Sequence, residues 1–108
     1  MFSKINILGF YLSNYTYSDL LELVKNSIKN NQSTCISYVN FYVFLRSLKY
    51  KNLKSALQKI TFLHPDGLGI FLASKFLYGK YGFKEKINGT DFYFQILKLA
   101  IQNKCNIF

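Results

Sequence analysis

Short runs of apolar and β-branched residues alternate along this chain with longer stretches whose apolar positions return at helical spacing, and that alternation limits the folds open to it. Residues 4–12 alternate weakly and hold Ile and aromatic side chains, which reads as a strand or hairpin arm with a bend at Gly9. Ser13 and Asn14 mark a turn. Thr16 is a good N-cap, and Asp19 three residues on fits a capping box loosely. Leu20, Leu21, Val24 and Ile28 then share one helical face, with Glu22, Lys25 and Lys29 on the other, so a helix is expected to about Lys29. Residues 34–39 read as a short buried strand, residues 41–48 and 53–60 as two helices, and residues 61–63 as another buried strand. Pro65-Asp66-Gly67 is a turn signal, followed by a helix over 70–78 and a loop over 79–82. Asn88-Gly89 is a further turn, Thr90 can cap a last helix through about Gln102, and Cys105 to Phe108 begin what reads as one more strand.

Strands separated by helices in this order favour a parallel sheet with helices on both faces, an α/β fold of the Rossmann-like kind. A last strand that opens and stops leaves such a sheet without its continuation, so the chain is expected to be the truncated N-terminal part of a larger domain.

At 108 residues, half of them hydrophobic, the chain can build one packed core. The formal net charge is +9, from fourteen Lys and Arg against five Asp and Glu, and Arg46 is the only Arg. A basic balance suits phosphates, anionic lipid or nucleic acid, but the Lys are scattered and fit a solvated face equally well. Cys35 and Cys105 form no Cys-x-x-Cys pair, and a single His cannot complete a zinc site. Two buried free thiols in a reducing compartment are expected, with no metal and no cofactor. Met1 to Ile7 do not read as a signal peptide, and no apolar run reaches the roughly 18 residues of a membrane span. A cytoplasmic location follows as the expectation.

In a parallel α/β sheet, ligands bind beyond the carboxyl ends of the strands. Asn40 and Asp66 follow two of the expected strands, and Gly67 and Gly69 open the helix after Asp66. Glycines there let a ligand approach the backbone, and a helix start offers free N–H groups to an anionic or polar group. Asp66 could act as a general base toward a sugar hydroxyl. The same residues also read as an ordinary Pro-Asp-Gly turn with an Asp capping a helix, and local pattern leaves both readings open.

The wider pattern resembles the N-terminal half of the WecG/TagA/CpsF glycosyltransferase family. Residues 5–16 are similar to its opening strand, turn and helix cap, and Val39-Asn40 to its strand ending in Asn. Pro65-Asp66-Gly67-Leu68-Gly69-Ile70, continuing to Ala73-Ser74-Lys75, resembles its most characteristic motif. Lys84 to Asp91 resembles the next, usually Glu-Arg-Val-x-Gly-x-Asp, and residues 102–108 resemble the approach to a phosphate-loop strand. Tyr38 stands where many members have Thr, Lys86 where Arg is usual, and the loop at Gly79 to Phe83 is longer than usual. The resemblance implies transfer of an N-acetylmannosamine-type sugar from a UDP-sugar to a polyprenyl-diphosphate-linked acceptor, in cell-surface polysaccharide or teichoic acid synthesis. It places the work at the inner face of the cytoplasmic membrane. By carry-over Asp66 would be the catalytic base, with Asn40, Tyr38, Gly67, Gly69, Lys86 and Asp91 around the substrates. Members of the family are longer, so a second half, such as a separately encoded one, would complete the nucleotide site, and the fragment alone would be inactive.

Other residues carry less. His64 beside the turn reads as a packed or hydrogen-bonded side chain. Tyr38, Phe41, Tyr42 and Phe44 read as core and pocket wall, and Phe92-Tyr93-Phe94 as straddling the two faces of the last helix. The alternative functions are a small basic nucleic-acid-binding module, which no motif supports, and an assembly subunit that pairs through a sheet edge.

Overall fold

Ile5, Ile7, Phe10 and Leu12 are the apolar positions at the start of the chain, and a two-residue loop lets all four face the same core. In the computed structural model, which describes residues 3–108, strands β1 (Ser3–Ile7) and β2 (Phe10–Asn14) pair antiparallel with Ile5 opposite Leu12 and Ile7 opposite Phe10. Met1 and Phe2, with which the reading of the N-terminus began, lie outside the described residues. Leu8 (φ 49°) and Gly9 (φ 88°) both take positive φ, the pattern of a type I′ hairpin turn, and the Gly9 N–H donates to Asn6 Oδ1 at 2.6 Å. The other edge of β2 is closed by a side chain: Gln58 accepts from the Tyr11 N–H at 2.9 Å and donates to its carbonyl at 3.1 Å.

Helix α1 (Tyr17–Lys29) begins with a complete capping box between Thr16 and Asp19. It ends in a Schellman turn: Asn31 takes φ 52°, and the Gln32 N–H reaches the Ser27 carbonyl at 2.9 Å. Strands β3 (Ile36–Val39) and β4 (Phe62–Pro65) pair parallel, Ile36 with Phe62 through Val39 with Pro65. The crossover between them is α2 (Phe41–Lys49), capped by Asn40, and α3 (Lys51–Gln58). Helix α4 (Leu68–Tyr78), a short 3-10 turn (Gly79–Tyr81) and α5 (Gly89–Gln102) follow.

The period-two alternation of β3 and β4 divides the core. Val39 and Leu63 join the hairpin residues, Phe44 of α2, Ile70 of α4 and Phe83 in one cluster. Ile36 and Phe62 face the other way, toward Tyr15, Leu20 and Leu23 at α1 and Phe92 of α5. Helices therefore cover both faces of the parallel pair, as the alternation implied. The single Rossmann-like parallel sheet does not appear: the described residues form one antiparallel and one parallel two-stranded sheet. The glycine at position 9 turns the first apolar run back on itself, so that it pairs with itself rather than extending a parallel sheet.

Five local expectations are corrected, the first being the turn at Ser13 and Asn14: both residues belong to β2, paired with Lys4 and Ser3. Residues 105–108 form no strand, because α5 closes in a second Schellman turn: Lys104 takes φ 54° and the Cys105 N–H bonds the Ala100 carbonyl at 2.8 Å. The cap of α5 is Asn88, whose side-chain oxygen accepts from the Thr90 and Asp91 N–H groups, so Thr90 lies inside the first turn. Cys35 and Cys105 are free but exposed, since each lies in a segment just outside a regular element. Phe44 is core and Tyr38 of β3 is a half-exposed cleft wall, whereas Phe41 and Tyr42 are exposed, because α2 turns only Val43, Phe44 and Ser47 inward.

Candidate active site

Parallel strands that end at the same level set their following residues side by side, and here those residues are Asn40 and Asp66. The Asp66 N–H adds one more rung, donating to the Val39 carbonyl at 2.9 Å. Gly67 then takes φ 86° and becomes the N-cap of α4, a cap with no side chain. The first N–H groups of α4 consequently have no side-chain acceptor.

Asp66 does not cap the helix that follows it. A parallel bridge from Asp66 to Ile87 draws in the 85–89 segment, and Asp66 Oδ1 accepts from the Gly89 N–H at 3.1 Å. Gly89 is the first residue of α5, so the carboxylate sits where the positive end of that helix favours a negative charge. A Cβ on residue 89 would stand 3.5 Å from Asp66 Oδ1, which keeps the approach open to a small residue. Oδ2 has no hydrogen-bond partner among the described residues.

Asp66 forms a wall of two small clefts. One, of about 220 Å³, is completed by Gly67, Lys86, Ile87 and Asn88. The other, of about 290 Å³, is completed by Tyr38, Gly89, Thr90 and Tyr93. Lys86 and Asn88 also border a third cleft of about 550 Å³, with Tyr17, Glu85, Asp91 and Phe94 among its lining. Tyr38, Asp66, Gly67 and Lys86 are thus brought together as the sequence suggested, and Asp91 lies one cleft away. Asn40 adjoins Asp66 along the strand ends; its Oδ1 accepts from the Val43 N–H at 2.8 Å, which leaves its amide NH₂ and one lone pair of that oxygen for a ligand. Gly69 is not at the clefts: it lies inside α4, and a Cβ there would meet Phe41 of α2 at 3.5 Å.

Asn88, Gly89, Thr90 and Tyr93 line the clefts at Asp66 and were not among the candidates the sequence offered. The Asn88-Gly89 turn signal is visible in the sequence, but only the Asp66–Ile87 bridge shows that this turn reaches the strand end. His64 is buried among the rings of Tyr15, Tyr38 and Phe92 at centroid distances of 6.2, 5.9 and 6.2 Å, with Nδ1 3.2 Å from the Pro65 carbonyl. It is a packed side chain beneath the Tyr38 wall, and burial lowers its pKa from 6.5. Tyr17, in the Asp91 cleft, has its phenol pKa raised, first by desolvation and then by the Asp91 charge. No group of three His, Cys, Asp or Glu side chains among the described residues could hold a metal ion.

A carboxylate anchored through one oxygen at a strand end, its other oxygen uncommitted, beside a Lys and an uncapped helix start, is chemically able to receive a polar or anionic ligand. The family model described as "Glycosyl transferase WecG/TagA/CpsF family" matches residues 5–108. The chain belongs to that family, and so to a class of glycosyltransferases of cell-surface polysaccharide biosynthesis. No curated protein matches it. None of the described helices is long and apolar enough to cross a membrane.

Proposed function

We propose that this chain carries the acceptor-activating part of a transferase that moves an N-acetylmannosamine-type sugar from a UDP-sugar to a polyprenyl-diphosphate-linked sugar at the inner face of the cytoplasmic membrane. Asp66 is the general base. As the acceptor oxygen bonds to the donor's anomeric carbon, the bond from that carbon to the diphosphate breaks. UDP leaves with the electron pair, and the acceptor proton passes to Asp66. The observation that carries this reading is the placement of Asp66, held by the Gly89 N–H at the end of β4 with Oδ2 uncommitted.

Anchoring one oxygen restricts rotation of the carboxyl group, which favours a fixed approach to a hydroxyl. Lys86 and the uncapped start of α4 suit a diphosphate, although a Lys grips it as a point charge and lacks the planar fork of Arg. Tyr38 and Tyr93 offer rings against which a sugar face can lie. The two clefts at Asp66 fall below the roughly 300–1,000 Å³ of pockets that bury a whole small ligand. The donor nucleotide therefore needs walls beyond them. We assign those walls to a second half of the family's domain, continuous with this chain or encoded separately.

The test is transfer of labelled sugar from the UDP-sugar to a polyprenyl-diphosphate-linked acceptor, by the chain alone and by the chain supplied with a C-terminal half. Asp66→Asn should cut the rate about 10²–10⁴-fold in the active assembly. Full rate in that variant would show the base assignment to be wrong.

A further inference from the structure

Residues 84–86 have no helix or strand of their own, yet they are fastened from several sides. Phe83 is buried in the core cluster on one face of the parallel pair and Ile87 in the cluster on the other. The exposed Lys84-Glu85-Lys86 segment therefore crosses between the faces next to the end of β4, where Ile87 bridges Asp66. Its entry is held by the buried Ser74 of α4, whose Oγ accepts from the Phe83 N–H at 3.0 Å. Two more bonds follow. Asn14, the last residue of β2 and itself buried, accepts from the Lys84 N–H on Oδ1 at 2.9 Å. Glu85 Oε2 accepts from the N–H of Tyr17, the first residue of α1, at 2.9 Å.

Lys86 comes next in the chain and lines the same cleft as Asp66. Its backbone stands between the Glu85 anchor and the Ile87 bridge. A Lys side chain is long and flexible, and ordering it together with a loose backbone opposes ligand binding; a backbone fixed beforehand removes part of that cost. Glu85 also carries a charge that weakens the pull of Lys86 on an anion. The bond to Tyr17 directs one of its oxygens to the positive end of α1. Neither Asn14 nor Glu85 lines the cleft shared by Asp66 and Lys86, so each acts on it through the segment.

We infer that Asn14 and Glu85 are positioning residues, which fix the 84–86 segment from β2 and α1 so that the Lys86 ammonium is presented to a diphosphate at the Asp66 cleft. The fixing stands on the two bonds themselves; its use for a diphosphate rests on the proposed function.

The experiment is NMR of the isotope-labelled full chain. Backbone order parameters at Glu85 and Lys86 should be about 0.85 in the parent and fall toward about 0.6 in Asn14→Ala and in Glu85→Ala. Asn14→Asp and Glu85→Gln keep an acceptor oxygen and should hold the parent value. Inorganic diphosphate is then titrated against the amides of Gly67, Lys86 and Asn88. Asn14→Ala should bind it about 3–10-fold more weakly than the parent. Glu85→Ala should be weaker than Glu85→Gln by a similar factor, since both lose the charge and only Gln keeps the acceptor. In a Lys86→Gln background neither loss should appear, because the route to the ligand is gone. Glu85 is exposed, so its variants report whether or not the buried Asn14 tolerates Ala. Unchanged order at Glu85 and Lys86, or losses of affinity that persist in the Lys86→Gln background, would overturn the inference. Inorganic diphosphate that moves no cleft amide of the parent would instead overturn the ligand reading of Lys86, and the order parameters then judge the positioning by themselves. UDP and a short-chain prenyl diphosphate, titrated in turn, distinguish donor from acceptor as the source of the diphosphate.

Discussion

Replacing Asp66 in two ways separates its structural work from its chemistry. Its Oδ1 accepts the first N–H of α5 at 3.1 Å, from a position that is only partly buried. Asp66→Asn keeps a carbonyl oxygen for that bond and loses the charge near the helix start, worth roughly 0.3–1 kcal/mol. Asp66→Ala loses both, and removal of a side-chain acceptor at a helix N-terminus costs about 0.5–2 kcal/mol. Water can reach the freed N–H at this exposure, which puts the combined cost for Ala at about 1–2 kcal/mol. Each kcal/mol moves the midpoint of a domain near this size by about 4–8 °C. Thermal melts should therefore rank the parent first, Asp66→Asn slightly below it, and Asp66→Ala lower by about 5–15 °C. Sugar transfer should not follow that ranking, because both variants lack the base and should be equally slow. An Ala variant that melts with the parent would refute the tie between Asp66 and α5. Rates that graded with stability would mean that the residue positions the site and takes no proton.

Three further substitutions probe the frame around the site. Leu8 takes φ 49° with its side chain 69% exposed, so Leu8→Asn should relieve strain without losing packing and raise stability by about 1 kcal/mol in urea melts. A Cβ at Gly82 would come within 2.9 Å of the Ser74 carbonyl oxygen and Oγ, so Gly82→Ala should cost about 1–3 kcal/mol by the same measurement. His64 is the only histidine, and burial lowers its pKa below 6.5. The unfolded chain then binds more protons in that window. The stability His64 contributes is complete above about pH 6.5 and is lost as pH falls toward the folded pKa, with a slope of at most ~1.4 kcal/mol per pH unit. His64→Phe should flatten that slope in denaturant titrations at a series of pH values, and an unchanged slope would assign it elsewhere.

The features legible in the sequence are those set by neighbours within a few residues. Thr16 and Asp19 make a reciprocal cap through contacts three residues apart, so the pattern alone exposes it. Gly9 marks a bend because glycine takes φ 88° at little cost, whereas nothing in a Leu announces the positive φ of Leu8 beside it. The parallel pair follows from short buried runs joined by helices. What the alternation does not contain is that the first run folds back and closes its free edge on Gln58, a contact spanning 47 residues. The expected strand at residues 105–108 fails for a related reason: its composition suits a strand, but Asn103 and Lys104 turn the chain sharply off the end of α5.

The site shows the same division. Asp66 is visible in the sequence because it follows a strand and precedes a helix, and on that local evidence it could equally be the cap of α4. Gly67 decides between the two. By taking φ 86° it moves the cap position onto a residue without a side chain, and the Asp66 carboxylate is released from the helix that follows it. The bridge to Ile87 brings the start of α5 within reach, 23 residues further along the chain, and that helix takes one carboxylate oxygen. Two helix starts thus meet at one strand end: α5, whose first N–H holds the Asp66 carboxylate in place, and α4, whose first N–H groups have no side-chain cap and suit an anionic ligand. A side-chain cap on α4 would have removed the second of these, which is a physical reason for the Pro-Asp-Gly order at this turn.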